Sequence, residues 1–136
     1  MVYIQYKHGE KDDEMKILIS NSSKQPIYEQ ICEQIKEQII NGTLIEDMTL
    51  PSIRNLAKDL QISVITTKRA YEELEREGYI HTVPGKGTFI AYQNIEEIKE
   101  KKYEIIEESL VKIIEKSKIL EISKAELMEM INLIYE

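Results

Sequence analysis

Cysteine is nearly absent from this chain. Cys32 is the only one, so no intrachain disulfide can staple the fold, and an apolar fraction of 42% has to supply a packed core instead. Long apolar runs are lacking too. None approaches the ~20 residues that a membrane-spanning helix needs. The opening residues MVYIQYKHGEKDDE carry acidic groups where a secretory signal has an apolar core. A charged fraction of 32% suits a soluble surface, and a cytoplasmic protein is expected. Histidine is scarce: His8 and His81 stand far apart without metal-ligand spacing, and the acidic pair Glu46 and Asp47 has no second cluster near it. The lone thiol falls beside Ile31 and Ile35 in a helical run, which suits a packed or partly exposed thiol better than a redox sensor. No nucleophile–base pair can be assembled, so neither catalysis, a metal nor a cofactor is expected.

What is present concentrates between Leu50 and Ile90, in LPSIRNLAKDLQISVITTKRAYEELEREGYIHTVPGKGTFI. Pro51-Ser52 gives a helix start, and Leu56, Ala57 and Leu60 follow as an apolar stripe. Gln61-Ile62-Ser63 interrupts that pattern as a turn, and Ser63 offers a second N-cap for a helix running from Val64 to Gly78. At ~100° per residue, Thr67, Ala70, Tyr71 and Leu74 share the core face, with Ile65, Arg69, Glu72 and Arg76 opposite. Gly78 suits a left-handed helix end. Tyr79–Val83 and Thr88–Tyr92 then read as strands around the tight loop Pro84-Gly85-Lys86-Gly87, which puts one lysine at a hairpin tip between two glycines. Helix, turn, basic helix and β-wing in this order make a winged helix-turn-helix, an arrangement that reads duplex DNA.

Around this motif the chain divides into a flexible N-terminus (1–14), a winged helix-turn-helix domain (15–92) and a helical dimerisation tail (93–136). The fold class is mainly α with a small β-wing. Ile17-Leu18-Ile19 reads as a short strand, and Pro26–Asn41 as an amphipathic helix on Ile27, Ile31, Ile35 and Ile39. Its Glu29, Glu33, Lys36 and Glu37 read as a solvated face, and 43–49 as a loop. A long helix runs from Asn94 to about Lys118, and a second starts with capping-box spacing at Ser123. Two amphipathic helices with no third partner pack most simply against a second copy, or alternatively fold back on their own winged domain.

The net charge of −7 argues against a polyanionic partner until its distribution is considered. Between 51 and 93, six basic residues (Arg54, Lys58, Lys68, Arg69, Arg76, Lys86) face five acidic ones, while the tail carries seven Lys against eleven acids. A slightly basic middle predicts weak nonspecific binding, with useful affinity requiring a dimer on paired half-sites.

From Pro26-Ile27-Tyr28 through LPSIRNLAKDL, ITTKRAYEELEREGYI and GKGTFI to about Tyr92, the chain resembles the GntR family of bacterial transcription regulators. The residues after Tyr92 are too few for the large sensor domains of other branches, so it looks like the YtrA-type branch, whose short two-helix tail serves dimerisation. The resemblance implies that Arg54 approaches DNA phosphate, that Thr66 and Lys68, with Arg69 beside them, meet bases or backbone, and that Gly85, Lys86 and Gly87 form a wing tip at the minor groove or phosphates. Ser63 and Ile65 complete the DNA-contacting set. The competing readings are a surface salt bridge for Arg54, pairing with Glu72 and Glu73 for Arg69, and a plain hairpin for the wing. Val64 departs from the family where many members place a base-reading arginine, and Asn55 replaces the glutamate of a capping box with Ser52. Ile65 either compensates by touching a thymine methyl or packs in the turn.

The expected function is a sequence-specific, dimeric transcription regulator, a repressor on an inverted-repeat operator, with the branch implying a transporter or envelope-stress operon. The alternative is a protein-interaction module built on a winged helix that does not read DNA. A small-molecule effector stays undecided, although an apolar cavity at a dimer seam could take a small lipophilic molecule.

Overall fold

Isoleucine at every fourth position builds α1 (Ile27–Ile40), because a period of four keeps one stripe of the helix turned to the core. Ile31, Ile35 and Ile39 are all buried. Pro26 occupies the N-cap, and Asn41 ends the helix ahead of Gly42 in the left-handed region at φ +83°. The computed structural model describes residues 2–5 and 15–135, and the chain forms two units, Met1–Asn94 and Ile95–Glu136.

In the first unit, α2 (Ile53–Leu60) and α1 both pack against α3 (Val64–Arg76), and Leu56, Leu60, Ala70, Tyr71 and Leu74 are buried there. Burying each leucine stabilises the fold by roughly 1.5–3 kcal/mol. Both helices start on a serine whose side chain accepts a main-chain N–H, Ser52 from Asn55 and Ser63 from Thr66. Gln61 turns the chain between them in the left-handed region at φ +55°, and the Ile62 N–H returns to the Ala57 carbonyl. Tyr71 anchors the corner by donating its hydroxyl to the Pro51 carbonyl at 2.7 Å.

The wing strands β4 (Ile80–Val83) and β5 (Gly87–Ile90) pair antiparallel, with His81 opposite Phe89 and Thr82 opposite Thr88. A third strand, β3 (Thr49–Leu50), joins on the other side of β5, so the sheet order is β3-β5-β4. This corrects the end of the expected 43–49 loop. Two residues are too short to show an alternating pattern, and Thr49 reaches the sheet only because β5 presents a free edge.

At the other end, β2 (Lys16–Ile19) pairs with β1 (Val2–Gln5), Tyr3 opposite Leu18. The expected flexible segment 1–14 therefore contains a strand at Val2–Gln5, and the rest of it lies outside the described residues. The far edge of β2 is covered by side chains. Gln38, Gln34 and Gln30 of α1 accept from the N–H groups of Lys16, Leu18 and Ser20 at 2.9, 2.7 and 2.8 Å. Their Nε2 groups donate back to the carbonyls of the same three residues at 2.8, 2.7 and 3.0 Å. Glutamines four apart rise ~6 Å per step and strand residues two apart ~6.6 Å, so helix and strand stay in register over three rungs.

The second unit consists of α4 (Ile95–Ile119) and α5 (Lys124–Ile134), joined through Glu121 in the left-handed region. Ser123 caps α5, accepting from the Glu126 N–H and donating to its carboxylate. Of the described α4 residues only Ser117 is buried, and its hydroxyl is satisfied by the Ile113 carbonyl. Tyr103, Ile106, Leu110 and Ile113 recur at helical spacing with their side chains exposed.

Candidate nucleic-acid interface

Arg54 stands exposed in the first turn of α2 and forms no ion pair with any described residue. At the start of α3, Val64 and Ile65 project into solvent, Ile65 with 81% of its surface exposed. It does not pack in the turn. The Ser63 hydroxyl accepts from the Thr66 N–H at 3.0 Å and donates to the Thr66 hydroxyl at 2.8 Å. Its proton is thereby committed, while Thr66 keeps its own to offer.

The charged residues of α3 divide into free and engaged. The Lys68 ammonium lies 3.8 Å from the Glu72 carboxylate with both side chains 64% exposed, a pair too open to hold it. Arg69 is placed differently: its guanidinium lies 3.8 Å from the centre of the Tyr28 ring, a cation–π contact that directs it at α1. The competing reading, pairing with Glu72 and Glu73, is not the contact Arg69 makes among the described residues. Tyr28 donates to Glu29 at 3.0 Å, and that hydrogen bond first, then burial, raises its phenol above the ordinary range.

The acidic run at the end of α3 is occupied. Glu73 accepts from Arg76 at 2.7 Å, which holds its carboxyl below the usual range. Glu75 accepts the Thr82 N–H at 3.1 Å and ties β4 to the helix. Glu77 pairs with Lys36, which also lies 5.3 Å from the centre of the Tyr79 ring. Lys36 therefore bridges α1 to the end of α3 instead of merely solvating its face. Glu73, Glu75 and Glu77 thus each have a cation or an N–H near them, which softens the repulsion that their charges would otherwise exert on a nucleic-acid backbone.

At the wing tip, Lys86 is exposed between Gly85 at φ +76° and Gly87 at φ +128°, and the Lys86 N–H closes the turn on the Val83 carbonyl at 3.0 Å. Both glycines adopt backbone that side chains disfavour, and open space surrounds Gly85, so here the glycine answers the turn and not a crowded neighbour. The His81 and Phe89 rings stack 5.8 Å apart and stiffen the hairpin. Beneath the helices, burial pushes the Cys32 thiol up to about 11, with its Sγ donating to the Ala70 carbonyl at 3.3 Å.

The sequence missed Tyr28, Lys36 and Glu75 as supports of this surface. Their partners lie on other elements, and the only hint is an aromatic or charged residue at the rim of an otherwise apolar stripe. Among the described residues no group of His, Cys, Asp or Glu could hold a metal ion, and no helix is long and apolar enough to cross a membrane.

Residues 27–90 match the family model described as bacterial regulatory proteins, gntR family. Over 75 residues the chain is 45% identical to the HTH-type transcriptional repressor YtrA of Bacillus subtilis, covering 55% of this chain and 58% of YtrA. Over 79 residues it is 43% identical to the repressor NagR of the same organism, covering 58% of this chain and only 32% of NagR. It thus spans less than two thirds of either relative. Among solved structures, YtrA from Sulfolobus acidocaldarius, a GntR-family transcription factor, is similar at 36% identity and a TM-score of 0.56, covering 70% of this chain and 97% of that one. AraR(DBD) in complex with operator ORX1 is similar at 28% identity and a TM-score of 0.50, covering 57% of this chain and 96% of that one.

Proposed function

Because the chain belongs to the GntR family of bacterial regulatory proteins, we propose that it is a cytoplasmic, sequence-specific transcription regulator that represses as a dimer on an inverted-repeat operator. The observation that carries the reading is the division of charge on the α2–turn–α3–wing unit. Arg54, Lys68 and Lys86 are exposed with no firm partner among the described residues, while Glu73, Glu75 and Glu77 are engaged. Repression by YtrA and NagR and the operator complex of AraR(DBD) support it.

The mechanism is steric. The N-terminal turns of α3 from each copy enter successive major grooves about one DNA turn apart, Arg54 and Lys86 hold the flanking backbone, and polymerase is excluded from the promoter beneath. With so little net positive charge, one copy binds weakly, and pairing through the α4–α5 unit supplies the second half-site. The operator controls a transporter or envelope-stress operon that includes the regulator's own gene.

Binding of the purified protein to DNA directly upstream of its own gene, against scrambled DNA of equal length at two salt concentrations, tests the reading. Saturable preference for the upstream fragment is expected. Lys68→Ala with Lys86→Ala should weaken it and lower the salt slope by about one for each phosphate no longer neutralised. Equal or absent binding would sink the proposal in favour of a protein-interaction module.

A further inference from the structure

Among the described residues of the winged unit, Ile65 is the most exposed large apolar side chain, and Val64 beside it is 47% exposed. Val64 and Ile65 together leave an adjacent pair of β-branched side chains in water at the tip of the helix, and covering them with an apolar group would be favourable. The polar groups around it are poorly placed to read base edges. The Ser63 proton is committed to Thr66, and the Arg69 guanidinium is directed at Tyr28 on α1. Only Lys68 and the remaining Thr66 proton are left to make polar contacts there. The one apolar group that B-DNA offers in its major groove is the C5-methyl of thymine.

We infer that Ile65, flanked by Val64, reads thymine methyl groups, so each operator half-site carries an A·T pair opposite the first turn of α3. The inference rests on the DNA-binding reading above and adds to it the chemistry of the base contacted. Arg69 serves there as a positioning residue that ties α3 to α1, and Lys68 makes a polar contact beside the methyl.

The test replaces thymidines one at a time by deoxyuridine in the upstream fragment that the protein protects, which removes the methyl and leaves the base pairing intact. At one or two positions per half-site, affinity should fall roughly four-fold per methyl removed, the effect of one buried methyl-sized group. Ile65→Ala should lower affinity for the thymidine fragment by a similar factor, abolish the uridine effect at those positions and leave the salt slope unchanged, since Ile65 neutralises no phosphate. Because this side chain is exposed, the variant keeps its fold, and an unchanged melting temperature checks that. Preferential binding with every thymidine replaceable at no cost, or a uridine effect that persists in Ile65→Ala, would overturn the inference while leaving the regulator reading intact. Failure to prefer the upstream fragment at all would overturn both.

Discussion

Cys32 illustrates how a residue that resembles a reactive group is disarmed by its surroundings. Burial dominates its environment, outweighing the nearby Lys36 charge, and lifts the thiol from 9.0 to about 11. A folded-state value above the unfolded one means that the protonated form is favoured by folding. The resulting stability is complete below about pH 9 and is lost as pH rises from there through 11. Iodoacetamide at pH 8 should therefore leave the native protein unlabelled and label it fully in denaturant, as read by intact mass; rapid native labelling would show an accessible thiolate. Single residues with local duties were legible in the sequence. Ser52, Ser63 and Ser123 each cap the helix that follows them, because a cap needs only the three residues after it. Arg69 was not, since its partner Tyr28 lies on another helix and no spacing encodes that meeting.

Among elements, α1 is the one whose polar face does more than its composition suggests. The glutamine ladder lets a helix act as the neighbouring strand of β2, a role hidden in a pattern that looks like a solvated stripe. Helix periodicity made α1, α2 and α3 readable and the Pro84–Gly87 turn marked the wing pair, whereas β1 and β3 are short strands, β3 forming against an edge supplied from far along the chain. Gln34 is the central rung, accepting from the Leu18 N–H and donating to the Leu18 and Gln30 carbonyls. Gln34→Leu should cost about 1–2 kcal/mol in urea unfolding and speed hydrogen exchange at the Leu18 amide. Gln34→Glu keeps the acceptor but faces two carbonyls with no proton to give, so folding raises its pKa. Its stability relative to the parent is therefore best below ~pH 4.3, the ordinary glutamate value, and worsens as pH rises through the elevated folded value. A pH-independent loss in Gln34→Glu would show that the donor half of the rung contributes nothing.

For the whole molecule, the decisive matter is what covers the α4–α5 unit. Leu110, Ile114, Leu127, Met128 and Ile131 line a groove of about 390 Å³ within it, and Tyr103, Ile106 and Ile113 extend the apolar stripe along α4. A stripe of that length on a 25-residue helix is poorly compatible with an isolated copy, because so much contiguous apolar surface favours association. In the proposed dimer, a second copy in two-fold symmetry would cover the same patch on both partners at once. Ile106 is 60% exposed and lies outside the groove lining, so Ile106→Glu should not disturb α4 or α5 within one copy. In the proposed dimer it should place two carboxylates at a symmetric seam and split the pair, seen as a halved mass in sedimentation equilibrium. Affinity for a two-half-site operator should then fall about 10²-fold or more, while affinity for a single half-site stays the same, because the variant breaks the linkage between copies and leaves each DNA-reading surface intact. A variant that stays dimeric would move the interface elsewhere on the chain. Loss of half-site binding as well would mean that the tail supports the winged domain directly, the fold-back arrangement in which both units act within one copy.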